Sequence, residues 1–247
     1  MMRAIDPEIS IVVPAHNEEK FLGATLARID AATRTLGIPF EVIVVDDGST
    51  DRTAEIARAH GCHVVPGGVH QIAAARNIGA RAARGNLLVF VDADTIVPAA
   101  TLQAAVAAMR EGAVGGGAGA IYDPATPAWA QRALRVTVWF MRTVGWAAGC
   151  FLFARRDAFA RAGGFDERYF ASEEIHLSRA LKRFGRFVIL REMVVTSGRK
   201  AHTYSGWRTL WLVLRLLWPG SLRRRDRLEF WYTADQRLKP GAPGERK

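Results

Sequence analysis

The stretch NLLVFVDADT, residues 86–95, decides how the rest of the chain is read. Five apolar residues, Leu87 to Val91, run straight into Asp92 and Asp94, which are separated by a single alanine. A continuous apolar run bounded by charge has the pattern of a strand buried on both faces and ending at the edge of its sheet. Two neighbouring carboxylates repel each other unless a cation or hydrogen-bond donors offset them. An Asp-x-Asp by itself is ordinary loop composition, so its meaning depends on what other strands bring to the same edge.

Working outward, the N-terminal half alternates strand and helix patterns. The runs Ile9–Pro14, Phe40–Asp47 and Cys62–Pro66 are short, apolar and rich in β-branched residues. Between them, residues 18–37 have helical spacing at Phe21, Leu22, Thr25, Leu26 and Ile29. Residues 51–61 and 71–85 read as helices closed by Gly61 and Gly85. Buried strands separated by helices predict a mostly parallel sheet with helices on both faces, an α/β fold. Beyond Thr95, helices are expected at 99–112, 128–146 and 172–185. Strands are expected at 113–123 and 149–156, with one or two more over 186–198. The 113–123 run holds four glycines, so backbone or ligand is expected to pass close over it. Residues 239–247 have the composition of a disordered end.

The totals bound the class. With 247 residues and 49% hydrophobic content, the chain suits one large α/β domain or two small ones. Its two cysteines, Cys62 and Cys150, lie far apart, which argues against a disulfide framework and for a reducing compartment. No Cys/His group has zinc spacing, and the first ten residues lack the apolar run of a signal peptide. The longest apolar stretch, TLWLVLRLLWPG, is broken by Arg215 and Pro219, short of the roughly 20 residues a spanning helix needs. Net charge is +10, of which +8 falls in residues 199–247, with twelve Lys/Arg against four Asp/Glu. Such a segment suits an anionic surface. It carries no nucleic-acid-binding motif, so no specific nucleic acid is expected as partner.

In an open parallel sheet, ligands bind beyond the carboxyl ends of the strands. The first strand here is followed by Pro14, Ala15, His16, Asn17 and Glu18, the second by Asp46, Asp47, Gly48 and Ser49, and the fourth by Asp92 and Asp94. Three strands thus send acids to one edge of a basic protein, and an oxygen-ligated Mg²⁺ or Mn²⁺ would account for them. Asp-Gly-Ser after a strand is equally ordinary turn chemistry, with Ser49 or Asp51 capping the next helix.

The segments ISIVVPAHNEEKFLGATL, FEVIVVDDGSTDRTAEIA, AAARNIGARAARGNLLVFVDADT and GGFDERYFASEEIHLSRALKRFG, taken in order, resemble family-2 glycosyltransferases of the GT-A fold over about residues 8–200. The resemblance implies a GT-A domain over residues 1–200, with a nucleotide-binding half to about residue 97 and an acceptor half from 98. A basic, Trp-rich helical segment follows over 201–247. It implies an enzyme that moves a single sugar from a nucleotide diphosphate sugar to an acceptor hydroxyl, with inversion. Pro14, Ala15, Asn17 and Glu18 would hold the nucleoside, Asp46 would meet the base with Asp47 beside it, and Arg76 would lie near the nucleotide. Asp92 and Ala93 would contact the nucleotide, and Asp94 with Asp92 would hold the metal. His202 would be a further metal ligand, although a lone histidine in a basic stretch is more often a surface residue.

Inverting transfer needs a carboxylate to take the acceptor proton. The GGFDE turn, Gly163 to Glu167, precedes Glu173 and Glu174, where the family places a Glu–Asp pair. The second position here is one methylene longer. Adjacent helical residues point about 100° apart, so the two carboxylates would serve different places. By motif position Glu174 is the base and Glu173 its neighbour. The alternative is that Ser172 caps the helix and both acids merely suit its positive end.

No Gln-x-x-Arg-Trp signature of processive synthases occurs, which favours single-sugar transfer to a saccharide or lipid-linked acceptor. Trp139, Trp146, Trp207, Trp211, Trp218 and Trp231, with Arg223 to Arg225, would suit an anionic membrane surface. That implies a cytoplasmic protein peripheral to the inner face of the membrane. Equally, those tryptophans would pack a C-terminal helix onto the domain. The lack of Gly-x-Gly-x-x-Gly after the first strand argues against a dehydrogenase, and the lack of a Walker loop against a P-loop enzyme. A non-catalytic sugar-nucleotide-binding protein on the same fold remains the alternative.

Overall fold

The computed structural model describes residues 6–147, 149–169 and 172–198. Among them the chain runs β1 (Ile9–Ala15), α1 (Leu22–Leu36), β2 (Phe40–Asp46), α2 (Thr53–Ala59), β3 (His63–Pro66), α3 (Ile72–Ala82) and β4 (Leu87–Val91). It continues through β5 (Thr95–Ile96), α4 (Ala99–Arg110), β6 (Gly115–Tyr122), α5 (Ala128–Val144), β7 (Phe151–Arg155), α6 (Arg156–Arg161), α7 (Glu173–Leu181) and β8 (Phe187–Thr196). The strands form one sheet in the order β3-β2-β1-β4-β7-β6-β8-β5.

The expected mostly parallel sheet is present. β1 pairs in parallel with β2 and β4, β2 with β3, and β6 with β8. β7 runs antiparallel between β4 and β6, and β5 antiparallel to β8. The chain direction of travel reverses between β1 and β4, which opens a crevice at their carboxyl ends. Sequence reading missed two elements: β5, only two residues long, and α6, which begins directly where β7 ends.

Period-two alternation distributes β1 between two cores. Ile9, Ile11 and Val13 face a cluster with Leu22, Leu26 and Ile29 of α1 and Leu102 of α4. Val12 faces the other way, into a cluster with Ala73 and Ala75 of α3, Ala158 of α6 and Leu177 of α7. Helices on both faces explain why β1 and β4 are buried at every position. Close approach is set by glycine: a β-carbon on Gly79 of α3 would lie 2.3 Å from Val12 Cγ1. The glycine-rich β6 is crowded by the protein itself, since a β-carbon on Gly116 would lie 2.1 Å from the Val188 carbonyl oxygen.

Candidate active site

The parallel register aligns Ala15 with Asp46 and Val12 with Phe90, so β1, β2 and β4 end together. The loops that leave them are tied to one another. Pro14 and Ala15 are buried, and the Ala15 carbonyl accepts from Asp47 N at 2.8 Å. Asn17 takes a left-handed backbone, φ 55°, a conformation asparagine tolerates better than most residues. Its N–H donates to Ser49 Oγ at 3.0 Å, and its Oδ1 accepts from Thr50 N at 2.9 Å. Glu18 N donates to Thr53 Oγ1 at 2.8 Å, and the Glu18 carbonyl accepts from Phe21 N and Leu22 N to start α1.

The two aspartates after β2 differ in role. Asp47 is buried; its Oδ1 accepts from Val69 N and His70 N, and its Oδ2 from Gln71 N at 3.1 Å. It therefore shapes the loop between β3 and α3. Asp46 is half-buried; its carboxylate accepts from Ser49 N at 3.0 Å and its carbonyl from Gly67 N at 2.8 Å.

Arg76 organises the centre. It sits on α3 with 1% of its side chain exposed. Its Nη1 donates to Glu173 Oε1 at 2.6 Å, and its Nη2 donates to Asp92 Oδ1 and to the Gly149 carbonyl, each at 2.8 Å. Its guanidinium lies 5.2 Å from the Phe165 ring centroid. One side chain thus joins the end of β4, the start of α7 and the entry to β7. Nε has no hydrogen-bond partner among the described residues.

Glu173 and Glu174 diverge as their helical spacing requires. Glu173 is buried against Arg76, while Glu174 is half-buried with its carboxyl beside Gly149. Loss of solvent, and then the Glu173 charge, push the Glu174 carboxyl up to about 8, against the pull of Arg76. Ser172 does not cap α7: its backbone is left-handed at φ 64° and its side chain makes no cap bond.

Asp92 is about a third exposed and shares Arg76 with Glu173. Thr25 Oγ1 donates to the Ala93 carbonyl at 2.8 Å, and the Ala93 side chain is buried in the core, which fixes the turn between the two aspartates. Asp94 Oδ1 is 3.5 Å from Thr196 Oγ1 on β8. Burial and then the Asp92 and Asp94 charges push the Cys150 thiol well above its usual range, so it stays neutral.

Two carboxylates are hard oxygen donors, which suit Mg²⁺ or Mn²⁺, and Mg²⁺ commonly takes only one or two carboxylates plus phosphate and water. No group of three or more His, Cys, Asp or Glu side chains is arranged to hold a metal ion among the described residues, and His202 lies outside them. The donor set therefore fits a cation completed by a phosphate-bearing ligand.

One residue went unrecognised in the sequence. Asn77 Nδ2 donates to the Phe165 carbonyl at 2.8 Å and to Glu167 Oε1 at 2.9 Å, and its Oδ1 accepts from Phe165 N at 2.9 Å. It clamps the GGFDE turn onto α3. Its only sequence signal is its place directly after Arg76.

The sheet order, the crevice and the acidic corner define an α/β domain of the GT-A glycosyltransferase type. The chain belongs to glycosyl transferase family 2, whose sequence model matches residues 10–163, more than half of its length. It is 35% identical over 171 residues to an undecaprenyl-phosphate 4-deoxy-4-formamido-L-arabinose transferase of Pseudomonas paraeruginosa, covering 62% of this chain and 48% of that protein. The match thus spans about half the length of that relative. Among solved structures, the mannosyltransferase PcManGT of Pyrobaculum calidifontis, in complex with GDP-Man and Mn²⁺, is similar with a TM-score of 0.65 and 21% identity, covering 97% of this chain and 67% of that one. S. aureus TarS 1-349 is similar with a TM-score of 0.60 and 19% identity, covering 79% and 62%.

Proposed function

We propose that the chain transfers a single sugar from a nucleotide diphosphate sugar to an acceptor hydroxyl, with inversion. The observation that supports this is the Arg76 bridge from Asp92 at the end of β4 to Glu173 at the start of α7, next to Glu174. Pro14, Ala15, Asn17, Glu18 and Asp46 line the nucleoside end, with Asp47 fixing the loop behind them. Asp92 faces the nucleotide, and Ala93, its side chain in the core, meets it through backbone. Asp94, with Asp92, would hold Mg²⁺ or Mn²⁺, and His202 would add a ligand. The bound cation would offset the charge of the departing nucleoside diphosphate. Arg76 holds Glu173 and Asp92 in register, so its contact with the donor is indirect.

Glu174 takes the acceptor proton. Its raised proton affinity suits a base working near neutral pH. Residues up to about 97 serve the donor and residues 98–200 the acceptor, and the basic segment 201–247 lies on an anionic membrane surface. The name of the Pseudomonas relative supports a lipid-linked acceptor. No described helix is long and apolar enough to cross a membrane, which suits peripheral attachment.

The test is a panel of nucleotide sugars with Mn²⁺ or Mg²⁺, read by release of nucleoside diphosphate and by thermal shift. Divalent-dependent release that disappears in Asp94→Ala and Glu174→Gln is expected. Tight donor binding without turnover on any hydroxyl or polyprenyl acceptor would favour the non-catalytic binding protein instead.

A further inference from the structure

Helix α5 is apolar on two opposite faces. Inward, Ala130 and Val138 are buried, and Val138 Cγ1 would lie 2.7 Å from a β-carbon on Gly119 of β6. Outward, Trp129, Val136, Trp139 and Phe140 are exposed by 39%, 65%, 66% and 50%. Positions 129, 136 and 140 share one side of a helix with a repeat of about 3.6 residues, and Trp139 flanks them. Soluble helices normally show solvent a polar face. Arg132, Arg135 and Arg142 run alongside the outward stripe, and none makes an ion pair among the described residues. No Asp or Glu occurs between Asp123 and Asp157.

We propose that this outward face of α5 docks on anionic phospholipid headgroups at a bilayer surface. Charge selects the occupant. The segment 199–247 carries twelve Lys/Arg against four Asp/Glu, and a second copy of the chain carries +10, so both repel the α5 arginines. An anionic bilayer attracts them and gives the aromatic side chains an apolar layer at the headgroup boundary. The C-terminal end of the helix adds to the same potential. Lys182 Nζ donates to the Val144 carbonyl at 3.2 Å, and the Arg179 guanidinium lies 4.8 Å from the Trp146 ring centroid. The surface is also connected to the acidic corner. Gly145 ends α5, and four residues on, the Gly149 carbonyl accepts from Arg76.

The proposal does not depend on sugar transfer, because binding is read without substrate. The full chain is floated with vesicles of phosphatidylglycerol and phosphatidylcholine, and with phosphatidylcholine alone. Wild type is expected to float with the anionic vesicles, and less so as salt rises. Arg132→Gln/Arg135→Gln/Arg142→Gln should weaken this partition on the order of a hundredfold. Trp139→Ser/Phe140→Ser should weaken it on the order of tenfold. Both variants alter exposed side chains, and an unchanged circular-dichroism melt confirms folding. Flotation of both variants like wild type would overturn the proposal and assign binding to residues 199–247. A concentration-dependent dimer abolished by Trp139→Ser/Phe140→Ser, with no vesicle binding, would assign the face to a second copy and overturn it equally.

Discussion

Arg76 Nη1 and Glu173 Oε1 lie 2.6 Å apart, with 1% and 5% of their side chains exposed. Removing one member of such a pair strands the other as a buried charge, which costs about 3–5 kcal/mol. Arg76→Ala and Glu173→Ala should each lower the unfolding free energy, read from urea titration, by an amount in that range. Arg76→Lys should not rescue activity, since a single ammonium cannot reproduce the guanidinium fork to Glu173, Asp92 and Gly149. Full stability in Arg76→Ala would remove the case for a structural bridge.

The native Glu174 holds its proton up to about pH 8, whereas an unfolded glutamate loses it near 4.3. The native state therefore binds this proton more tightly than the unfolded chain. Its contribution to stability is present at low pH and is lost as pH rises from the usual carboxylate range to about 8. Denaturation curves across that window should show the loss in wild type and lack it in Glu174→Gln.

Catalysis should follow the opposite trend. A base acts once deprotonated, so transfer to a hydroxyl should rise about tenfold per pH unit up to about 8 and then level. Glu174→Gln should cut the rate by about 10²–10⁴ with a flat profile. A profile in the variant that matches wild type would assign the proton to another group.

Asp92 and Asp94 should separate by their partners. Asp92→Asn weakens an Arg76 contact and should lower the melting temperature of the ligand-free protein. Asp94 Oδ1 lies 3.5 Å from Thr196 Oγ1 on β8. Asp94→Asn should abolish the extra stabilisation given by nucleotide sugar with Mn²⁺. Equal donor-induced shifts in wild type and Asp94→Asn would place the cation elsewhere.

Asn77→Ala removes both hydrogen bonds to the Phe165 backbone. Each buried group left unpaired costs about 1–3 kcal/mol. Amide exchange at Phe165 should accelerate, and kcat should fall more than KM rises, because the turn leads into the helix of Glu174. Unaltered exchange there would show that the turn holds itself.

The first four strands were legible because each carries a run of apolar residues, many of them β-branched, a pattern that a sheet covered on both faces favours. The acids beyond them could be read from position alone. The split between Asp46 and Asp47 could not, because it depends on three amides contributed by Val69, His70 and Gln71, more than twenty residues downstream. The bond from Arg76 to Glu173 spans 97 positions and likewise leaves no local trace. The direction of β7 was equally hidden, since an apolar strand reads the same either way. Ser172 looked like a cap by residue type, yet its backbone turns left-handed just before the two glutamates.

That direction of β7 has a consequence for how the two sides of the reaction are linked. Strands parallel to β4 offer the crevice their last residues; β7, running the other way, offers its first. The segment that enters β7 comes directly from α5, and on its way the Gly149 carbonyl meets Arg76 and the Cys150 carbonyl meets Asp92 N. A surface helix and the acidic corner are therefore joined by only a few residues of chain. A displacement of the helix end thus has only that short stretch of chain to cross before it meets Arg76 and Asp92.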